Sequence, residues 1–139
     1  MSIVDFPYYE DLIFKKTIDI GDLYFFKKFV VCEFNEGINI NFDNFNEAKI
    51  EIEKQYGNTS FGFISNRIHS YSILVTDAPI FNEIFKNLKA YATVTYSELA
   101  SKVFEIENHF FNFNRRNFDN LEDAIQWIEY HLKETAASI

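Results

Sequence analysis

The stretch FVVCEF, residues 29–34, puts apolar side chains on both faces of any strand it forms. Successive strand side chains alternate, so Val30, Cys32 and Phe34 point one way and Phe29 and Val31 the other. A strand that is apolar on both faces belongs in the interior of a sheet. The rest of the chain has to supply its neighbours and the layers that cover it.

Upstream, FKKTIDIG and DLYFF read as strands. Gly21 and Asp22 are the expected tight connection between them, and Lys27 and Lys28 the turn into FVVCEF. Gly37, in NEGINI, marks a turn or bulge. Downstream, strand and helix patterns alternate. SFGFIS is a short buried strand, and DAPIFNEIFKNL a helix with Ile80, Phe81, Ile84, Phe85 and Leu88 on one face. Pro79 is tolerated there because an amide in the first turn has no intrahelical partner. KAYATVT is the next strand. YSELASKVFEIENHFF returns to helical spacing, with Ser97 as its cap, Leu99, Val103, Ile106 and Phe110 in one stripe, and Ala100, Phe104 and Phe111 beside it. NFNRRNF forms a final edge strand. The expected fold is α/β: one domain over residues 1–139, with a mixed, mostly parallel sheet, an N-terminal antiparallel hairpin and about four amphipathic helices. Residues 1–12 read as an N-terminal extension and 134–139 as a tail, and both are expected to fray.

Two near-copies stand out: NFDNFNEA from Asn41 and NFDNLEDA from Asn117. The segments between them do not repeat, which argues against domain duplication. NFDN supplies too few spaced oxygens for a calcium loop. Each copy precedes an apolar stripe at helical spacing: Ala48, Ile52 and Tyr56 after the first, Leu121, Ala124, Ile125, Ile128 and Leu132 in the second. Asn44 and Asn120 are therefore expected as helix caps, each with an acid three residues on, Glu47 and Asp123. Asp43 and Asp119 are alternative caps.

Composition bears on partners. The chain carries 13 Lys plus Arg against 21 Asp plus Glu, for a net charge of −8. That balance disfavours nucleic acid and anionic membrane. The basic doublets Lys15 and Lys16, Lys27 and Lys28, and Arg115 and Arg116 read as solvated faces. No apolar run reaches the length of a membrane span. The N-terminus is acidic where a signal peptide is basic, and Cys32 stands alone, so a cytoplasmic protein is expected. Seventeen Phe exceed the needs of one small core, which places some at a protein partner or a second copy, most simply in a homodimer.

The closing FDNLEDAIQWIEYHL, with Phe118, Asp119, Ala124 and Trp127, resembles the last helix of the SpoIIAA-like bacterial proteins. These have the STAS, or anti-sigma-factor-antagonist-like, fold. YGNTSFGFISNR resembles a bacterial branch of the same group, and the likeness in element order spans roughly Ile18 to Lys133. It implies a STAS-like domain with a protein-binding or regulatory role, and the lipid-transfer side of that family's label implies a small-molecule or lipid-binding alternative. In a classical antagonist a phosphorylated Ser starts a helix within an Asp, Ser, Gly cluster after the third strand. Ser65 is the nearest positional match, but Asn66 and Arg67 replace the small-residue turn, so modification of Ser65 is not expected.

The polar run from Ser65 through Asn66, Arg67, His69, Ser70, Tyr71 and Ser72 is the candidate site. It follows a parallel strand, and ligands bind beyond such carboxyl ends. Arg67 suits an anion, and His69 suits titration near neutral pH. His69, His109 and His131 lack the one-turn spacing of a zinc helix. Cys32 has no neighbouring base. Glu10 and Asp11, Glu105 and Glu107, and Glu122 and Asp123 read as solvated acids, Trp127 and Tyr130 as packing residues, and His131 as a charge near a helix end. No catalytic, cofactor-binding or metal-ligating residue is expected. The expected function is a noncatalytic protein-binding or regulatory domain.

Overall fold

Strand β3 (Phe29–Phe34) is buried along all six residues, as its two apolar faces require. The structure is a computed structural model that describes residues 1–137, with side chains through residue 133. β1 (Phe14–Ile18) and β2 (Gly21–Phe25) form the antiparallel hairpin, and β2 continues antiparallel to β3. β5 (Phe61–Asn66), β7 (Leu88–Val94) and β8 (Arg115–Phe118) then add in parallel, giving the order β1-β2-β3-β5-β7-β8. β4 (Asn39–Ile40) and β6 (Ser72–Ile73) form a separate parallel pair of two residues each. The α/β class, the hairpin and the four helices stand as the sequence implies. The hairpin turn lies two residues earlier than expected, at Asp19 and Ile20. Gly21 is already in β2, where a Cβ would meet the Glu33 carbonyl oxygen at 2.5 Å.

Helix α1 (Phe42–Tyr56) buries Phe45, Ala48, Ile52 and Tyr56 on one sheet face. α2 (Ala78–Ile84) adds Phe81 and Ile84 to that layer, followed by Phe85 and Leu88. Ile80, expected in the same stripe, points to solvent. The opposite face takes α4 (Leu121–Ala137), whose Leu121, Ala124, Ile125, Ile128 and Leu132 are all buried. Gly62 lets α4 settle onto β5, since a Cβ there would lie 2.4 Å from Ile128 Cγ2. His131 is not at a helix end, because α4 continues to Ala137, and its ring meets Trp127. Residues 1–12 pack as two short 3-10 turns, with Ile3 fully buried among Tyr24, Phe26 and Val31. The frayed tail expected at 134–139 lies outside the described side chains.

The sheet thus has two apolar layers, and they absorb most of the aromatic excess. Phe14 stacks on Phe25 at 4.5 Å, Phe26 on Phe29 at 5.0 Å, and Phe63 on Tyr91 at 4.8 Å. Two cores account for most of the Phe content. Among the described residues, no helix is long and apolar enough to cross a membrane.

Helix α3 (Glu98–Asn108) is the exception to this packing. Ser97 caps it as expected, accepting from the Ala100 amide at 3.1 Å. Leu99 and Ile106, however, face outward, 73% and 62% exposed, and Phe110, two residues past the helix end, is 48% exposed. The buried side chains of α3 are Phe104 and an acid, Glu107.

Candidate functional site

The inward turn of Glu107 has a partner. Arg67, just past the carboxyl end of β5, donates from Nη2 to Glu107 Oε1 at 2.6 Å, with both side chains almost wholly buried. The other carboxylate oxygen accepts the Ile73 amide at 3.1 Å. Removing one partner from a buried ion pair strands a charge, so this pair fixes the rotation of α3 more firmly than its apolar stripe does. The stripe is left outside as a consequence.

A second guanidinium shares the same acid. Arg115 and Arg116 are neighbours on β8, so alternation sends one in and one out. Arg115 Nη2 stands 3.9 Å from Glu107 Oε1, and its side chain has no exposed surface. Its register partner on β7 is Tyr91. Aromatic rings surround it, with Phe111 at 4.5 Å and Tyr91 and Phe104 each at 4.8 Å from its Cζ. Such rings stabilise a desolvated cation through their negative faces. Burial pulls the Arg115 pKa down, against opposing contributions from Tyr91 and Glu107. Burial acts the same way on Arg67, but Tyr71 and Glu107 outweigh it and the net shift is upward. At 2.6 Å from Arg67 against 3.9 Å from Arg115, the acid serves Arg67 first. Two guanidiniums face one carboxylate in this cluster.

A cleft of about 480 Å³ runs beside the cluster, between the 67–72 loop and the start of α3. Arg67, His69, Ser70 and Ser97 line its polar side, and Ile68, Leu99 and Val103 its apolar side. Most of the polar run singled out in the sequence does meet here. Ser65 does not: it is fully buried and hydrogen-bonded to the Tyr71 hydroxyl. His69 lies at the surface, 4.0 Å from Glu36.

Asn66 belongs to a different network on the far face. Glu33 accepts from Ser2 Oγ at 2.6 Å, the Ile3 amide at 2.7 Å and Asn66 Nδ2 at 2.7 Å. Tyr96 donates to Asn66 Oδ1 at 2.6 Å. Burial and the nearby Glu33 push the Tyr96 phenol up to about 12. Ser2 and the Ile3 amide donate to Glu33, and the Met1 carbonyl accepts from Asn66 and Tyr96, so this network anchors the N-terminal segment.

The sequence reading placed Glu107 and Arg115 among solvated charges, and both are buried. The signal for Arg115 was strand alternation within the Arg115–Arg116 doublet. For Glu107 it was its place three residues beyond Phe104, on the same side of α3. Cys32 is fully buried, and burial raises its thiol pKa well above the usual value. Among the described residues, no group of three or more His, Cys, Asp or Glu side chains is arranged to hold a metal. Comparison with protein-family models, curated proteins and solved structures returned no match.

Proposed function

We propose that this chain is a noncatalytic protein-binding domain of regulatory type, and that its recognition surface is the outer face of α3, where a second copy docks. The observation that carries this reading is the outward apolar stripe of α3, with Leu99 and Ile106 in solvent while Phe104 and Glu107 are inside. Leu99, Val103 and Ile106 repeat with spacings of four and three, the seam of a paired helix, and Phe110 follows just past the helix end. The pattern is self-complementary. An antiparallel two-fold pairing sets Val103 against Ile106 of the second copy, with Leu99 toward the far end of the partner helix. The STAS-like resemblance read from the sequence points to the same class of role. The net charge of −8 weighs against nucleic acid as the partner.

One helix face is a small interface, so dissociation is expected on the order of 10 μM. Sedimentation equilibrium across that range is expected to show a monomer–dimer transition. Ile106→Glu, at an exposed position, is expected to leave the fold intact and the protein monomeric. Monomeric wild-type protein at every accessible concentration would sink the proposal, and so would a dimer that Ile106→Glu leaves unchanged.

A further inference from the structure

The underside of α3 is polar. Among the described residues of this helix, only Phe104 and Glu107 are buried. Beneath it, Ser65, Thr93 and Asn117 are register partners across β5, β7 and β8, each one residue before the carboxyl end of its strand. Asn117 Nδ2 donates to Ser101 Oγ of α3 at 3.2 Å, and Asn117 Oδ1 accepts from Thr95 Oγ1 at 3.1 Å. Arg67 follows this polar row on the β5 side, and Arg115 precedes it on β8. A helix that meets its sheet through one ring, hydrogen bonds and an ion pair has little apolar burial to hold it. That places it at the low end of local stability. Irregular segments, 95–97 and 109–114, bound it on both sides.

Glu107 sits on this floor as a bound anion would. Its carboxylate is 2.6 Å from Arg67 and 3.9 Å from Arg115, and it accepts the Ile73 amide at 3.1 Å. It does not meet every donor there. Arg67 Nε and Nη1, Arg115 Nε and Nη2 and Thr93 Oγ1 are buried without a hydrogen-bond partner. Buried donors without acceptors are costly and uncommon. What lies over Arg115 is α3 and its exit, with Phe104 at 4.8 Å and Phe111 at 4.5 Å from the guanidinium carbon. Lifting α3 exposes these donors; the open cleft beside the 67–72 loop does not.

We infer that α3 is a lid over an anion site at the carboxyl ends of β5, β7 and β8, that Glu107 plugs this site while the lid is closed, and that the ligand displacing it carries a phosphate dianion. Open α/β sheets bind ligands beyond these strand ends. A dianion matches the two guanidiniums that Glu107 leaves behind. Its oxygens outnumber the two of a carboxylate, and guanidinium forks pair with phosphate edge to edge. Opening returns Glu107 to water, so the acid is not left buried and unpaired. The lid is independent of the pairing of α3, because the pairing uses the outer face and the plug the inner one.

Hydrogen exchange read by mass spectrometry tests the lid on the full chain, at concentrations well below the dissociation constant expected for pairing. Amides of α3 are expected to exchange at least about tenfold faster than those of α1. Exchange in α3 as slow as in α1 would overturn the lid. The probes are inorganic phosphate and phenyl phosphate, set against sodium chloride at matched ionic strength. Either phosphate is expected to act saturably, speeding exchange in α3 and slowing it at the carboxyl ends of β5, β7 and β8. No saturable change, or the same change in chloride, would overturn the anion site. Phenyl phosphate saturating at the lower concentration assigns the site to phosphate monoesters, and inorganic phosphate doing so assigns it to the free ion. Glu107→Gln keeps the size of the plug and removes its charge. It is expected to tighten phosphate about tenfold, the scale of one hydrogen bond to a charged group. Unchanged phosphate affinity in that variant would overturn the role of Glu107 as the plug.

Discussion

Asn41 and Asn120 each accept the backbone amide three residues on, Asn44 at 2.8 Å and Asp123 at 2.8 Å. They occupy different places in the two near-copies. In NFDNFNEA the cap is the first Asn, and Asn44, expected to be the cap, instead returns a bond to the Asn41 amide at 2.9 Å. In NFDNLEDA the cap is the last Asn, as expected. The reason is tertiary. Asn117 and Phe118 pair with Thr93 and Val94 in β8, so that segment stays extended and α4 starts three residues later. β4 ends at Ile40, leaving Asn41 free to cap at once, and Asp77 supplies a further acceptor to the Phe42 amide at 2.9 Å. Glu47 lies too far along α1 for a capping role and accepts the Asp19 amide at 3.2 Å instead. Asn41→Ala and Asn120→Ala are each expected to cost about 1 kcal/mol in denaturant titrations. Asn44→Ala is expected to cost less, because the primary cap survives. Equal losses at Asn41 and Asn44 would show that the two bonds act as one unit.

At the scale of elements, helices were legible wherever their apolar stripe faced the sheet. The stripes of α1 and α4 were read residue by residue and are buried as read. α3 has an equally regular stripe on the wrong side. Hydrophobic periodicity reports that a helix has two faces, and usually the apolar one goes inward. Here a buried ion pair outweighs it, and its members, Arg67 and Glu107, lie 40 residues apart in sequence. Nothing local in α3 announces that pairing, so the central contact of the candidate site was hidden although Arg67 itself was singled out. The glycines carry a similar message. Gly62 sits in a strand that was read correctly, but its role depends on Ile128 of a distant helix. Gly62→Ala is expected to destabilise by roughly 1–3 kcal/mol, the range for overpacking a filled core. Melting or urea curves measure it. A neutral result would mean that α4 shifts without cost and that its seat on β5 is loose.

Over the whole molecule, the mixed, mostly parallel sheet and its helical cover followed from a few local facts. FVVCEF required cover on both faces, and three strand–helix–strand units required parallel neighbours with helices on a common face. Composition was less informative. Seventeen Phe suggested an external partner, but a sheet covered on both faces has two cores to fill. The case for self-pairing therefore rests on α3 alone, which makes the arrangement of α3 in the dimer the decisive observable. Glu105→Cys puts a labelling site on the exposed flank of that helix, while the native Cys32 is fully buried and resists labelling in the folded state. Double electron–electron resonance on spin-labelled Glu105→Cys protein measures the distance between copies. Paired helix axes lie 8–10 Å apart and position 105 is near the centre of the seam, so a peak within roughly 25 Å is predicted. Absence of a dipolar modulation at concentrations well above the expected dissociation constant, or a distance far beyond that value, would contradict pairing through α3.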